Sequence, residues 1–234
     1  DGGQLLRILL EGFFGLRGLK LSLFIGMLVA IVLSMFFFIL QQFLIGAIFF
    51  LFAYQGFDSW RKARFLTKSD RNEQFDQDLK DGQIALEQGK KQEAKELFAK
   101  VRNETKSGML NVTATHMLAL LEMESGEKHR AYELLLSIKK HINDETLCVL
   151  HELAYDEKNF SLVTELSTLC YQIMPSPEIA LRNAKAFAML KKAKSSGGWL
   201  QTALKDGEFD IEKILKESVF DSVKDAPEFK RFIG

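Results

Sequence analysis

The feature that most constrains the fold is an uncharged stretch near the start of the sequence. Residues 21–57 contain no charged side chain. One helix of that length would overshoot a bilayer, because a helix rises about 1.5 Å per residue and the hydrocarbon core is roughly 30 Å thick. Two crossings of about 17 residues each would fit. A polar pair within residues 39–42 is the predicted turn, so the stretch predicts a transmembrane helical hairpin.

Basic side chains flank both crossings. They are Arg17 and Lys20 before the first crossing, and Arg61, Lys62, Arg64 and Lys68 after the second. Because Lys and Arg are in excess in cytoplasmic loops, both ends of the hairpin are expected on the cytoplasmic side. The sequence therefore predicts an integral, multi-pass membrane protein. Membrane lipid is one expected partner, and the part of the chain after the hairpin is expected to be cytoplasmic.

Small side chains recur along the first crossing at intervals of four residues, and the second crossing carries two more. They are Ser22, Gly26, Ala30 and Ser34, and then Gly46 and Ala53. Small residues at this spacing let two helix backbones approach closely in lipid. We favour packing of helices within one bundle, and specific dimerisation is the alternative.

An apolar segment precedes the hairpin, and an acidic residue stands in front of it. The pattern over residues 3–14 predicts a short membrane helix, with breaks at Gly15 and Gly18. Asp1 then lies at the positive end of this helix, well below the membrane surface. A carboxylate at such a depth is costly unless a metal ion, a proton or a partner neutralises it. Asp is also a preferred helix N-cap, so a simple capping role for Asp1 is the alternative.

The start of the sequence resembles the third core helix of the site-2 protease family, a group of intramembrane zinc metallopeptidases. The likeness is carried by Asp1-Gly2-Gly3, by Gln4 and residues 5–9 after it, and by the hairpin that follows. It covers about residues 1–64. It implies that Asp1 is the third protein ligand of a catalytic zinc ion and that the substrate is a transmembrane protein.

The same resemblance places the remaining zinc ligands outside this sequence. In the family they are two histidines of an HExxH helix, whose Glu is the general base, and this sequence contains no HExxH. We therefore expect that motif upstream, in a longer polypeptide. No catalytic residue is expected within the present sequence, and this piece alone should be inactive.

The remainder of the chain predicts a water-soluble helical domain. We divide the sequence into a membrane domain (1–57), a basic juxtamembrane linker (58–72) and a repeat domain (73–234). The repeat spacing resembles that of tetratricopeptide repeats (TPRs), which are 34-residue helix-turn-helix units. Four copies carry small and apolar residues at related positions: Gly82, Gly89, Ala94 and Phe98; Ala119, Gly126, Ala131 and Leu135; Ala154, Val163 and Pro175; Ala184, Phe187, Trp199 and Ala203.

These repeats make the expected fold all-α, with a TPR-like α-solenoid after the membrane hairpin. We predict turns between paired helices at 88–90, 157–159 and 195–198 and a C-terminal cap over 208–233. Such repeats commonly bind a peptide or protein partner. The formal net charge is zero, so nothing points to nucleic acid.

Three other groups of residues have structural interpretations. Cys148 and Cys170 are predicted to be buried, reduced thiols rather than a disulfide. Residues 151–155 miss HExxH because Tyr155 stands where the second His is needed, so His151 and Glu152 are predicted to be a surface pair on a repeat helix. The other histidines show no ligand spacing.

Two functions remain open after the sequence alone. The first is the C-terminal part of a zinc-dependent intramembrane metalloendopeptidase whose TPR-like domain binds a protein partner. The second is a membrane-anchored TPR adaptor without catalytic activity, in which Asp1 only caps a helix.

Overall fold

The computed structural model describes residue 10 and residues 12–233, except the side chain of Asp206. Within this range every regular element is helical, so the all-α prediction is confirmed. The α-helices are α1 (Leu16–Ile39), α2 (Phe43–Phe65), α3 (Glu73–Glu87), α4 (Lys91–Thr105), α5 (Met109–Glu124), α6 (Lys128–Ser137), α7 (Asp144–Asp156), α8 (Phe160–Ile173), α9 (Pro177–Met189), α10 (Ala193–Asp206), α11 (Ile211–Leu215) and α12 (Pro227–Ile233). Short 3-10 helices span Ser69–Arg71 and Ser218–Phe220. The chain forms two compact units, residues 1–114 and 115–234, each described below by itself.

Helices α1 and α2 form an antiparallel hairpin in the first unit. They have 24 and 23 residues, and both are long and apolar enough to cross a membrane. The turn between them lies at residues 40–42, within the predicted turn. Gln41 has a left-handed backbone (φ 58°), and the amide of Gln42 donates to the Phe37 carbonyl at 2.9 Å. This is the Schellman motif that commonly ends a helix.

The predicted helix breaks before the hairpin are half right. Gly15 has φ 58° and lies immediately before α1, so it separates α1 from helical residues 12–14. The predicted break at Gly18 is wrong, because this glycine lies inside α1 and is buried. The low helix propensity of one glycine, about 1 kcal/mol, is readily overridden by packing. The predicted helix over 3–14 otherwise lies largely outside the described residues.

Small residues of the hairpin pack between α1 and α2. Ser22, Ala30 and Ser34 of α1 are buried, as are Gly46 and Ala53 of α2. The Ser34 hydroxyl donates to the Gly46 carbonyl at 2.9 Å, across the two helices. Gly26 differs from this set, since it is exposed and a Cβ built on it would meet nothing within 4 Å. Most of the small-residue stripe therefore serves contact within the hairpin.

A single turn geometry recurs four times after the hairpin, after α3, α5, α7 and α9. Its second residue always has positive φ: Gly89 (75°), Gly126 (83°), Lys158 (60°) and Lys191 (55°). Its third residue always donates its amide to the carbonyl five residues earlier, at 2.8–2.9 Å. The four turns are therefore Schellman motifs, spaced on average about 34 residues apart, the length of one TPR. The predicted turns at 88–90 and 157–159 are confirmed.

The predicted turn at 195–198 is wrong, because these residues lie inside α10 and the turn falls at Leu190–Lys192. The Ser-Ser-Gly-Gly run is used for close packing instead. The Ser196 hydroxyl donates to the Ala184 carbonyl at 2.8 Å. A Cβ on Gly197 would lie 3.0 Å from the carbonyl oxygen of Phe229, so the glycine lets α12 approach α10.

Most of the small and apolar repeat positions are buried, whereas Gly89, Gly126 and Pro175 are exposed and Phe187 and Trp199 are half-buried. Those that are fully buried are Ala94, Phe98, Ala119, Ala131, Leu135, Ala154, Val163, Ala184 and Ala203. The tract after α10 folds onto the last helix pair. Its Phe220, Val223 and Phe229 form a core with Ala184 and Leu200, which is the packing expected of a C-terminal cap.

Candidate functional site

The predicted zinc ligand, Asp1, lies outside the described residues, so its role stays a prediction. Residue 10 and residues 12–233 contain no group of three or more His, Cys, Asp or Glu side chains that could hold a metal ion. A carboxylate is a donor that zinc accepts, so the chemistry of Asp1 fits the metal that the resemblance implies. Cys148 and Cys170 are both buried and free, as predicted.

His151 is not on the surface, so that prediction is wrong. It is fully buried in α7, and its Nε2 lies 2.8 Å from Oδ1 of Asn183 in α9. Nη1 of Arg182 approaches Nδ1 at 3.5 Å. Because a guanidinium can only donate, Nδ1 accepts and the proton is on Nε2. Burial lowers the pKa of His151, and the charge of Arg182 adds to this effect.

The other half of the predicted surface pair behaves as expected. Glu152 is exposed, and its carboxylate lies 3.4 Å from Nη2 of Arg182. The sequence gives one clue to the difference, because His151 lies three residues before Ala154 on the same face of α7 and Glu152 lies off that face. His151 is thus a hydrogen-bonded core residue and belongs to no metal-binding group of three or more side chains within residue 10 and residues 12–233, which fits a structural role.

The two ends of the hairpin are joined by a lysine. Nζ of Lys20, in α1, donates to the carbonyls of Arg64 and Leu66 at 3.0 and 2.9 Å. These carbonyls are at the C-terminus of α2, the negative end of the helix dipole, where a cation is favourable. The start of α1 and the end of α2 therefore lie together, as required of a hairpin with both ends on one side.

The basic segment 58–72 is ordered, and its first half continues α2 to Phe65. Asp70 organises the second half. Its Oδ2 accepts from the amide and the hydroxyl of Thr67 at 2.6 and 2.9 Å, and its Oδ1 accepts from the amide of Leu110 at 2.8 Å. The carboxylate thus caps the N-terminus of α5, where backbone amides lack partners. We call Thr67, Asp70, Gly108 and Leu110 the Asp70 junction.

Gly108 makes the Asp70 junction possible. Its φ of 101° lies in the region that favours glycine. A Cβ built there would lie 2.6 Å from the hydroxyl of Thr67 and 2.7 Å from Oδ1 of Asp70. The junction joins the chain after α2 to the start of α5 within the first unit. The sequence around Gly108 does not indicate that this glycine will contact Thr67 and Asp70.

An aromatic and basic surface lies near the end of α2. The rings of Phe24 and Phe57 lie 5.6 and 6.2 Å from the Trp60 ring. Cζ of Arg64 lies 4.9 Å from the centre of the Trp60 ring, within cation–π range. We call Phe24, Phe57, Trp60 and Arg64 the Trp60 surface. Trp60 and Arg64 are four residues apart, so their spacing in the sequence already places them on one helix face.

The second unit contains an open cavity of about 660 Å³ between α8, α10 and α12, within the usual size of ligand pockets. Its lining is Tyr171, Gln201, Thr202, Leu204, Lys205, Phe232 and Ile233. The rings of Tyr171 and Trp199 meet edge to face with centres 5.2 Å apart. Comparison of the chain with protein-family models, curated proteins and solved structures finds no match in any of the three.

Proposed function

We propose that this chain is the C-terminal part of a site-2-like intramembrane zinc metalloprotease, with a TPR-like domain that binds a protein partner. The observation that carries the proposal is the packing of the hairpin that follows the N-terminal segment, in which small side chains are buried and large apolar ones are exposed. Large apolar side chains of α1 and α2 point outward, among them Val32, Phe43, Leu44 and Phe50. An exposed apolar surface of this extent is typical of contact with a membrane.

In the proposed protein, the chain contributes one metal ligand and part of the membrane core. Asp1 would hold the zinc ion together with two histidines of a preceding segment. When bound, zinc supplies an activated water for hydrolysis. The hairpin would line the path of a transmembrane substrate, and its small residues already bring α1 and α2 into close contact.

The soluble part is proposed to be a cytoplasmic TPR-like solenoid. Its support is the fourfold repeat of one Schellman turn at about the length of a TPR, with small buried residues at related positions. The cytoplasmic side is favoured by basic residues at both ends of the hairpin. The cavity between α8, α10 and α12 is a candidate place for a peptide.

Substitution of Asp1 in the full-length protein tests the proposal. For Asp1→Ala we expect loss of bound zinc and of cleavage of a transmembrane substrate. Zinc content is read by atomic emission on the purified protein. Glu11→Gln is the matched control, since it removes another carboxylate of the same segment and should leave zinc bound. Unchanged zinc and activity in Asp1→Ala would leave only helix capping for Asp1.

The second candidate is a membrane-anchored adaptor without catalysis, and the Asp70 junction favours it. That junction ties the chain after α2 to the start of α5 within the first unit, as expected where a membrane anchor is connected to the repeat that follows it. The two functions differ in the full-length protein, because an adaptor would carry no stoichiometric zinc and would tolerate Asp1→Ala.

A further inference from the structure

We infer that the Trp60 surface is a phospholipid-binding site at the cytoplasmic membrane interface, with Arg64 as the residue that binds the headgroup phosphate. The inference rests on the proposed membrane insertion of α1 and α2. It adds two statements to that proposal. The bilayer interface lies at the level of Trp60, and the cations around the hairpin have different roles.

The cations near the end of α2 differ in their partners. Arg61 and Lys62 both pair with Asp58, at 3.4 and 2.6 Å, so one carboxylate offsets part of their charge. Lys20 donates to two backbone carbonyls. Arg64 is exposed, and among the described residues no carboxylate forms an ion pair with it. Its charge is therefore available to an external anion.

The Trp60 ring forms a cation–π contact with the guanidinium of Arg64. Trp60 is half-buried between Phe24 and Phe57, and the guanidinium lies over its face. Stacking on an aromatic ring leaves the N–H groups at the edge of the guanidinium free to donate. Such a planar fork matches a phosphate in two parallel hydrogen bonds. Arg17 and Lys68 are also exposed, and no aromatic ring of the described residues forms a cation–π contact with either of them.

The Trp60 surface also marks the change from apolar to charged sequence. Leu51 and Phe52 lie two turns before Trp60 and are more than half exposed. From Asp58 onward the helix carries charges in each turn. Trp is enriched at membrane–water interfaces, where an apolar ring with one polar edge fits both sides. Apolar residues on one side of Trp60 and Arg64 on the other give the arrangement that suits a phospholipid headgroup region.

Tryptophan fluorescence tests the level of the interface. The chain has two tryptophans, so Trp199→Phe leaves Trp60 as the sole reporter. The chain is reconstituted in two kinds of nanodisc. In one kind the acyl chains carry bromine close to the headgroup, and in the other they carry it close to the terminal methyl group. We expect the strongest quenching of Trp60 by bromine close to the headgroups and little quenching by iodide in the water. Strongest quenching at the chain ends, or by iodide, would overturn the inference.

A second reporter separates this inference from membrane insertion itself. Phe50→Trp, with Trp60→Phe and Trp199→Phe, places one tryptophan at an exposed aromatic position about 15 Å before Trp60 along α2. We expect bromine at the chain ends to quench it. If it is quenched there while Trp60 is quenched by iodide, only the Trp60 surface is refuted. If no brominated lipid quenches either reporter, the proposed membrane insertion fails as well.

A pair of charge variants tests the phosphate contact. Arg64→Gln and Arg61→Gln each remove one positive charge from the same helix segment. In the parent chain we expect enrichment of phosphatidylglycerol over phosphatidylcholine among co-purifying lipids, because the choline cation offsets the phosphate charge of the latter. We expect Arg64→Gln to lose this enrichment and to shift Trp60 emission. Arg61→Gln should retain both, because Lys62 remains paired with Asp58. Equal losses in the two variants would reduce Arg64 to one charge among several and overturn its assignment.

Arg64→Lys tests the phosphate contact even if Arg64→Gln does not insert into the membrane. It retains the charge but lacks the planar fork. We expect it to insert and to show a weaker enrichment of phosphatidylglycerol than the parent chain. Enrichment equal to that of the parent would show that charge alone suffices and would refute the role of the stacked guanidinium.

Discussion

The α1–α2 hairpin and the helices of the second unit have the same secondary structure but opposite packing. In the hairpin the buried residues are small, such as Ala30 and Gly46, with Leu19 as the exception, and most of the large apolar side chains are exposed. In the second unit the fully buried residues include Leu150, Leu200 and Phe229. Burial of large apolar side chains is the main favourable contribution to folding in water. Little of this burial occurs in the hairpin, and both of its helices are long and apolar enough to cross a membrane.

The two regions share a way of ending helices, which shows that local structure does not separate them. Gln41 in the hairpin and Gly126 in the second unit both have positive φ in a Schellman motif. Backbone hydrogen bonds must be satisfied in lipid and in water alike. What differs is the side-chain surface, so the comparison is best tested by substitutions of matched side chains in the two regions.

The largest expected difference concerns two phenylalanines. Phe229 is 1% exposed in the second unit, and Phe50 is 61% exposed in the hairpin. Phe229→Ala should lower the free energy of unfolding of the second unit by about 3–5 kcal/mol, because it leaves a cavity. Phe50→Ala should change that free energy by less than about 0.5 kcal/mol. Urea unfolding followed by Trp199 fluorescence in Trp60→Phe measures both, and equal losses would contradict the comparison.

The next effect is expected at the Asp70 junction. Gly108→Ala should destabilise it by about 1–3 kcal/mol, because the new Cβ meets Thr67 and Asp70 at a strained φ. Gly89→Ala is the matched control, since Gly89 also has positive φ but has open space around it. Hydrogen exchange at the Leu110 amide measures the junction. Faster exchange there in Gly89→Ala, or no change in Gly108→Ala, would refute the role of Gly108.

The buried imidazole of His151 in the second unit predicts a pH dependence of stability. Burial lowers the pKa of His151 in the folded chain below the value of about 6.5 expected when unfolded. At pH below that value the unfolded chain binds the proton more readily than the folded chain. The free energy of unfolding therefore decreases as the pH is lowered, by up to about 1.4 kcal/mol per pH unit. His116, whose pKa burial also lowers, acts in the same direction.

Two variants separate the contribution of His151 to this pH dependence from that of the other titratable groups. His151→Gln should flatten the loss of stability between neutral pH and pH 5, measured by urea unfolding at each pH. His129→Gln is the control. His129 is exposed, and its hydrogen bond to Glu157 raises its pKa, so this group loses its contribution as pH rises. An unchanged pH profile in His151→Gln would contradict the assignment of a buried neutral imidazole.

Patterns of hydrophobicity and turn chemistry predict much of this fold from the sequence. The hairpin turn at 40–42 and the repeat turn at Glu157-Lys158-Asn159 follow from local polarity and helix length. The predicted turn at 195–198 fails because Gly197 serves contact with Phe229, which is distant in sequence. The prediction of a surface position for His151 fails for a similar reason, because its partner Asn183 is in another helix. Local signals cannot show which residues a tertiary contact will use.

The smallest expected effect concerns the polar contacts that hold the hairpin ends. Lys20→Gln removes a cation from the C-terminal end of α2, where such a charge contributes about 0.3–1 kcal/mol. We expect faster hydrogen exchange in the last turn of α2 and unchanged exchange in the middle of that helix. Lys62→Gln is the control, because it breaks only an exposed pair with Asp58, and such pairs contribute little. Equal fraying in both variants would show that general charge, rather than the contact of Lys20 with two carbonyls, holds the ends of α1 and α2 together.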